Sequence, residues 1–463
     1  VRRMINRFLH FSLVFSLVFL PLAARSADKC AVQYEMRMDL KDPDGGSYNL
    51  WDTVYGDSQK EQVFKSGFPA VLPMAQMVVA GEEYVQDRDE KDLLFGQIGK
   101  NGRVIMTAIR PLEGLQNLVK ILPYGDKMLV FANVRRQEGP DGKAHNGIWL
   151  GHFDMKGNMI SEKEVSDPKA DLVLFDVIPS RVAGEYLLAA TIKKKSLQQP
   201  ISAILYRMKA DGSLLSDHAF VTGTENRIMG LDVLAGNGYI ATGFSYGEDG
   251  RKNGWIARLN NDLGIVWQNV YPRGMGAELV AGQSMLNNTI AVVGHSAPAG
   301  DGALAGWVMV VDADSGTVGW QRFFSGSLHF MGRDIAVSED GLISVLLDGD
   351  VPSGAKDSEG KDLISHIRLL TLTPQGGLFS SDAFTNGAGV DAFHIMTGLA
   401  GERLVLGSSK ILYKIEKPVV PEKGSKPEQD VVDMVPSHDG WIVAFPLSEP
   451  YKDPCVQPLG FLP

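Results

Sequence analysis

An all-β ring of four-stranded blades, a β-propeller, is the fold this sequence predicts. Three observations point to it. A motif recurs along the chain at blade length; each copy holds short strand-like runs joined by Gly-, Asn- and Asp-rich turns; and no amphipathic helix of useful length interrupts them. Eight blades are expected, with seven as the alternative if the first and last units share one blade.

The recurrence is clearest between Asn226 and Phe324. Gly254-Trp255-Ile256-Ala257-Arg258-Leu259 returns 52 residues later as Gly306-Trp307-Val308-Met309-Val310-Val311. Trp267-Gln268-Asn269-Val270-Tyr271 returns as Trp320-Gln321-Arg322-Phe323-Phe324. A turn glycine marks seven units: Gly46, Gly102, Gly157, Gly212, Gly264, Gly316 and Gly376. An eighth unit is read from Ile411-Leu412-Tyr413-Lys414-Ile415, Val431 to Val435 and Trp441 to Phe445.

Within each unit two further β-like runs follow, such as Gly230 to Leu234 with Tyr239 to Gly243, and Asp334 to Val337 with Leu342 to Leu346. The turns between them, Gly236-Asn237-Gly238, Asn287-Asn288, Asp340-Gly341 and Asp439-Gly440, are hairpin signals because Gly and Asn tolerate positive φ. Gly is 51 of 463 residues, about 11% against a usual 7%, as expected of a turn-rich chain. Hydrophobic content of 44% excludes a disordered chain.

Residues 1–26 read as a cleaved export signal: Arg2, Arg3 and Arg7 precede an apolar stretch, Phe8 to Leu22, and Ala24-Arg25-Ser26 puts small residues before Ala27. The mature chain, 27–463, is then one propeller domain, periplasmic or secreted. Residues before Cys30 lack the pattern of a lipid-attachment box. Losing residues 1–26 removes four arginines and no acid, which takes the net charge from −10 to −14. Such a chain is a poor ligand for nucleic acid or anionic lipid, so neither is an expected partner, and no stable membrane insertion is expected after cleavage.

The two cysteines, Cys30 and Cys455, stand near opposite ends, and an oxidising compartment permits a disulfide between them. A ring fold brings its ends together, so this bridge would clasp the propeller and contribute about 2–4 kcal/mol. Residues 417–430, rich in Pro and charge, read as an exposed, mobile insertion in the last unit. Longer connections also fall at Arg135 to Asn146, Lys193 to Pro200 and Gly349 to Asp362. Trp255, Trp267, Trp307 and Trp320 recur with the repeat and read as inter-blade packing rather than ligand aromatics.

The strings from Asn237 to Gly243, Asn253 to Leu259 and Gly264 to Gln268 resemble the repeats of secreted bacterial β-propellers. Val311-Asp312-Ala313-Asp314-Ser315-Gly316 followed by Trp320 is similar to the tryptophan-docking motif of quinoprotein-like (PQQ-type) propellers. In other units the tryptophan position is read as Ile105, Ile160, Leu215 and Phe379. The resemblance implies the fold; it does not imply one activity.

No catalytic constellation stands out. There is no Cys-Cys pair for quinone chemistry, no HExxH and no phosphate-cradling loop, so no cofactor and no metal are expected. Asp312 to Gly316 reads as a hairpin turn rather than a calcium loop. His295, His329 and His394 occur one per unit and read as hydrogen-bonded strand histidines. The expected role is a non-catalytic binding or scaffold propeller that engages a protein partner of the envelope through its loops. The alternative is a channel-centred enzyme of hydrolase, lyase or lactonase type, or a protein that binds a glycan or small molecule. Channel polarity separates them: converging His, Asp and Glu favour the second.

Overall fold

Among the described residues, strand pairing gives seven sheets, hence seven blades and not the expected eight. The computed structural model describes residues 32–40, 49–56, 60–85, 90–136, 144–167, 170–194, 201–220, 224–298, 302–353, 356, 360, 362–386, 388–416 and 432–446. One compact unit spans Gln33–Lys452; of the other, only the exposed Val32 is described. The export signal 1–26, Cys30, Cys455, Gly46 and the insertion 417–430 lie outside the described residues, so the clasp does too.

From the channel outward, blade 1 is Lys60–Pro69, Met77–Val85, Glu90–Ile98 and Val104–Pro111. Blade 2 is Leu115–Tyr124, Lys127–Arg136, His145–Asp154 and Met159–Val165. Blade 3 is Ala170–Pro179, Glu185–Lys194, Ser202–Lys209 and Leu214–Phe220. Blade 4 is Glu225–Val233, Tyr239–Tyr246, Lys252–Leu259 and Ile265–Tyr271. Blade 5 is Gly276–Met285, Thr289–Ala297, Ala305–Asp312 and Val318–Ser325, with Glu35–Asp39 added in parallel at its outer edge. Blade 6 is His329–Val337, Ile343–Asp350, His366–Leu372 and Leu378–Phe384. Blade 7 takes Val390–Thr397, Arg403–Glu416 and Val432–Phe445 from the C-terminal side and its outer strand, Trp51–Tyr55, from the N-terminal side. Among the described residues there is no α-helix, only the 3₁₀ turn Lys100–Gly102.

The count falls to seven because the two end units supply one blade between them. The run Ile411 to Ile415 is not a new strand. It continues the strand from Arg403, paired with Val432 to Ser437 as a two-stranded extension of blade 7. Among the described residues, hydrogen bonding of Trp51–Tyr55 to Gly440–Ala444 closes the ring.

Burial explains the strand patterns. Second and third strands are covered on both faces by neighbouring blades and read as near-continuous apolar runs; His366–Leu372 is buried at every position. Outer strands have one wet face and alternate, as Ile265–Tyr271 does. Each seam between blades holds its own apolar core, seven in all among the described residues.

The tryptophans fall into two classes that the repeat alone does not distinguish. Trp149, Trp255, Trp307 and Trp441 sit on third strands and are fully buried between blades. Trp51, Trp267 and Trp320 sit on outer strands and dock on the next blade's turn. The Trp267 indole N–H donates to Ala313 O at 2.9 Å, and that of Trp320 to Pro374 O at 2.8 Å. Their rings cover Gly316 and Gly376, where an added Cβ would lie 2.8 Å from ring carbons. Trp51 covers Gly102 in the same way. These glycines have φ of +69°, +77° and +74°. In blade 4 the left-handed turn residue is Leu263 (φ +67°), not Gly264. Register places Met106, Ser161, Ser216 and Ser380 at the docking position, instead of Ile105, Ile160, Leu215 and Phe379.

Candidate functional site: the central channel

Every innermost strand carries a β-bulge at the same phase: between Phe64 and Ser66, Leu118 and Lys120, Leu174 and Asp176, Ile228 and Gly230, Leu279 and Ala281, Gly332 and Asp334, and Ala392 and His394. A bulge leaves one residue unpaired and re-aims its side chain. The close approach it forces explains glycines on the second strand: a Cβ on Gly81, Gly243, Gly294 or Gly407 would collide with an inner-strand carbonyl. All seven bulged residues line one cavity of about 420 Å³ on the channel axis.

The residue after the bulge decides the polarity beneath. In blade 1, Ser66 Oγ accepts the Ile121 N–H of blade 2 at 3.1 Å. In blade 3, Asp176 Oδ2 accepts the Leu231 N–H of blade 4 at 2.8 Å. In blade 6, Asp334 Oδ2 accepts the Ile395 N–H of blade 7 at 3.0 Å. One turn deeper, Asp232 accepts Ser284 N–H at 3.0 Å, and Gln283 Oε1 accepts Val337 N–H at 2.6 Å. With the Lys120–Asp176 pair between blades 2 and 3, inward polar side chains tie successive blades from 1 to 7 while they line the cavity.

Two functional groups stand beside these ties. The Lys120 ammonium lies 2.6 Å from Asp176 Oδ1. Burial would lower its pKa, but Asp176, with Asp334 and Asp232 further off, outweighs burial and raises it, so the charge is held firmly. His394 Nδ1 lies 2.6 Å from Asp334 Oδ2. Burial opposes ionisation of Asp334, yet His394 and the N–H groups of Ile395 and Ile335 outweigh it and hold its carboxyl below the usual range. An ionised Asp334 can only accept, so Nδ1 of His394 carries the proton. No protein group among the described residues is bonded to its Nε2. Burial raises the pKa of Asp232 despite its backbone partners.

Of the three histidines picked out by sequence, only His394 lines this cavity. His329 Nδ1 accepts Leu304 N–H at 2.8 Å, and His295 stands 3.5 Å from Glu278, its pKa lowered by burial. Asp312 Oδ1 accepts Ser315 N–H at 2.8 Å within its own turn. Among the described residues no group of three or more His, Cys, Asp or Glu is placed to hold a metal ion. Lys120, Asp176, Asp232 and Asp334 were not singled out by sequence. Their signal is a polar residue inside the first apolar run of a unit, as in Phe175-Asp176-Val177, Arg333-Asp334-Ile335 and Phe393-His394-Ile395.

No protein-family model matches the chain, and no curated protein does. Solved structures of similar path include Sqt1 from Chaetomium thermophilum, at 10% identity over 87% of this chain and 100% of that one, with a TM-score of 0.45. A Penicillium chrysogenum α-L-arabinanase complexed with arabinobiose shows 11% identity over 73% and 98%, with a TM-score of 0.44. A puromycin hydrolase shows 13% over 75% of this chain and 51% of its own, with a TM-score of 0.42, so this chain spans about half its length. The blade count rests on strand pairing, not on these likenesses.

Proposed function

We propose that this β-propeller acts at its central channel on a small molecule, with His394 as general base. The observation that carries the reading is the His394–Asp334 pair inside a polar cavity of about 420 Å³. A carboxylate bonded to one imidazole nitrogen fixes the tautomer and leaves the other nitrogen basic. Nε2 can then take a proton from water or from a bound substrate, and the Lys120 ammonium supplies positive charge for a developing anion. This suits hydrolysis of a small ester or lactone. Channel polarity is what favours it over a scaffold that works through loops alone.

The test is turnover of a panel of small esters and lactones by the full chain. His394→Gln should cut kcat by about 100-fold or more, with thermal melts to show that the variant still folds. Equal turnover by the variant would refute the reading.

A second reading, a protein partner at the channel mouth, is favoured by topology. Arg135 to Asn146, Lys193 to Pro200, Gly349 to Asp362 and the insertion 417–430 all join second to third strands. The second strands that precede them in blades 2, 3, 6 and 7 end at the face where inner strands begin. Cross-links from a partner would map to these connections; cross-links confined to the opposite face would discard it. Export through residues 1–26 is proposed on their composition, and N-terminal sequencing should find Ala27 first. The docking of Trp267 and Trp320 supports kinship with quinoprotein-like propellers in fold, without quinone chemistry.

A further inference from the structure

The bulge ring at the channel neck is divided by chemistry, and the division names a ligand. Blades 2 to 5 contribute Val119, Phe175, Met229 and Val280, an unbroken apolar arc. Blades 6, 7 and 1 contribute Arg333, Phe393 and Lys65. All seven are half-buried, so their side chains are neither packed away nor free in solvent. The Lys65 ammonium stands 5.9 Å from the centre of the Phe393 ring.

Both cations of the arc keep N–H groups that their carboxylate partners do not take. Lys65 and Lys91 share one carboxylate, Glu82, at 2.7 and 3.0 Å. Arg333 gives two nitrogens to one oxygen of Asp348, at 3.0 and 2.7 Å. Lys91 lies outside the bulge ring, and Asp391 stands close enough to Asp348 to act on its charge, so the two cations of the arc are matched by carboxylates on their outer side and turn their remaining N–H groups to the neck. Two side cavities, of about 420 and 310 Å³, also have Lys65 and Phe393 in their walls, so the arc is the junction of the accessible space. An isolated sugar or a polyamine would leave the four-residue apolar arc unmatched, and a purely apolar ligand would strand the cations.

We propose that the neck selects a small amphipathic anion: an apolar or aromatic body against Val119, Phe175, Met229 and Val280, with one carboxylate or similar anionic group between Arg333 and Lys65. This rests on the channel reading above and names its substrate class. The anionic group anchors the molecule at the neck while its remainder reaches down toward Lys120 and His394.

Three probes with one body separate the terms: 2-naphthoate, 2-naphthamide and 2-naphthylmethylammonium, titrated calorimetrically into the full chain at low salt. The naphthoate should bind one to one and about ten-fold more tightly than the amide, with the ammonium weakest. Added salt should erode the preference. Arg333→Met should reduce the preference several-fold and Arg333→Lys should retain most of it, with thermal melts to show that both fold. Equal affinity for the three, preference for the ammonium, no binding by any probe, or a preference indifferent to Arg333→Met would each overturn the proposal. Those results leave the turnover test of His394 standing; loss of the His394 reading leaves an anion preference intact, so the two failures are distinguishable.

Discussion

His394 Nδ1 lies 2.6 Å from Asp334 Oδ2, across the seam between blades 6 and 7. The same oxygen accepts the Ile395 N–H, and Oδ1 accepts the Ile335 N–H. One carboxylate thus pins a backbone seam and sets the tautomer of a channel imidazole.

Asp334→Asn should cost about 2–4 kcal/mol at neutral pH, because N–H groups beside it lose a charged acceptor. The carboxyl is held below its usual pKa, so its contribution is present above about pH 4 and lost as pH falls through the folded value. Denaturant titrations should show the gap between wild type and variant closing below that point. A gap that stays constant with pH would show that the charge is not what Asp334 contributes.

Trp51, on the strand that closes the ring, covers Gly102 of blade 1. Trp51→Ala should lower stability by about 1.5–3 kcal/mol from lost apolar burial. Gly102→Ala should cost at least as much, since φ is +74° and the new methyl meets the Trp51 ring. Chemical unfolding reads both. If closure works through this contact, the double variant should lose less than the sum.

Burial pushes the Asp348 carboxyl up to about 6, although Arg333 opposes it. A raised carboxyl favours folding below its unfolded pKa and loses that advantage as pH rises through about 6. Asp348→Asn should therefore be more stable than wild type by about 1–3 kcal/mol at pH 8 and converge with it near pH 4. Melting curves across pH check the sign; a variant less stable at pH 8 would reverse it.

The repeat, the turn glycines and the all-β character were legible because they are local patterns. The blade count was not, because closure pairs residues near 51 with residues near 444. One local clue existed: Trp51-Asp52-Thr53-Val54-Tyr55 has the spacing of Trp267-Gln268-Asn269-Val270-Tyr271; Thr53, Asn269 and Tyr271 bond the next blade's turn, and Tyr55 bonds Thr107 on the next blade's outer strand. At the site, His394 could be named but not ranked above His295 and His329. A one-residue bulge decides which side chain faces the channel, and composition carries no trace of that register.

The most direct measurement is nitrogen-15 NMR of the His394 ring in the full chain, with and without 2-naphthoate. The account predicts a proton on Nδ1, a bare Nε2, and an Nε2 signal that moves when the channel is filled. A proton on Nε2 with Nδ1 bare, or a signal indifferent to channel filling, would contradict His394 as the channel's base.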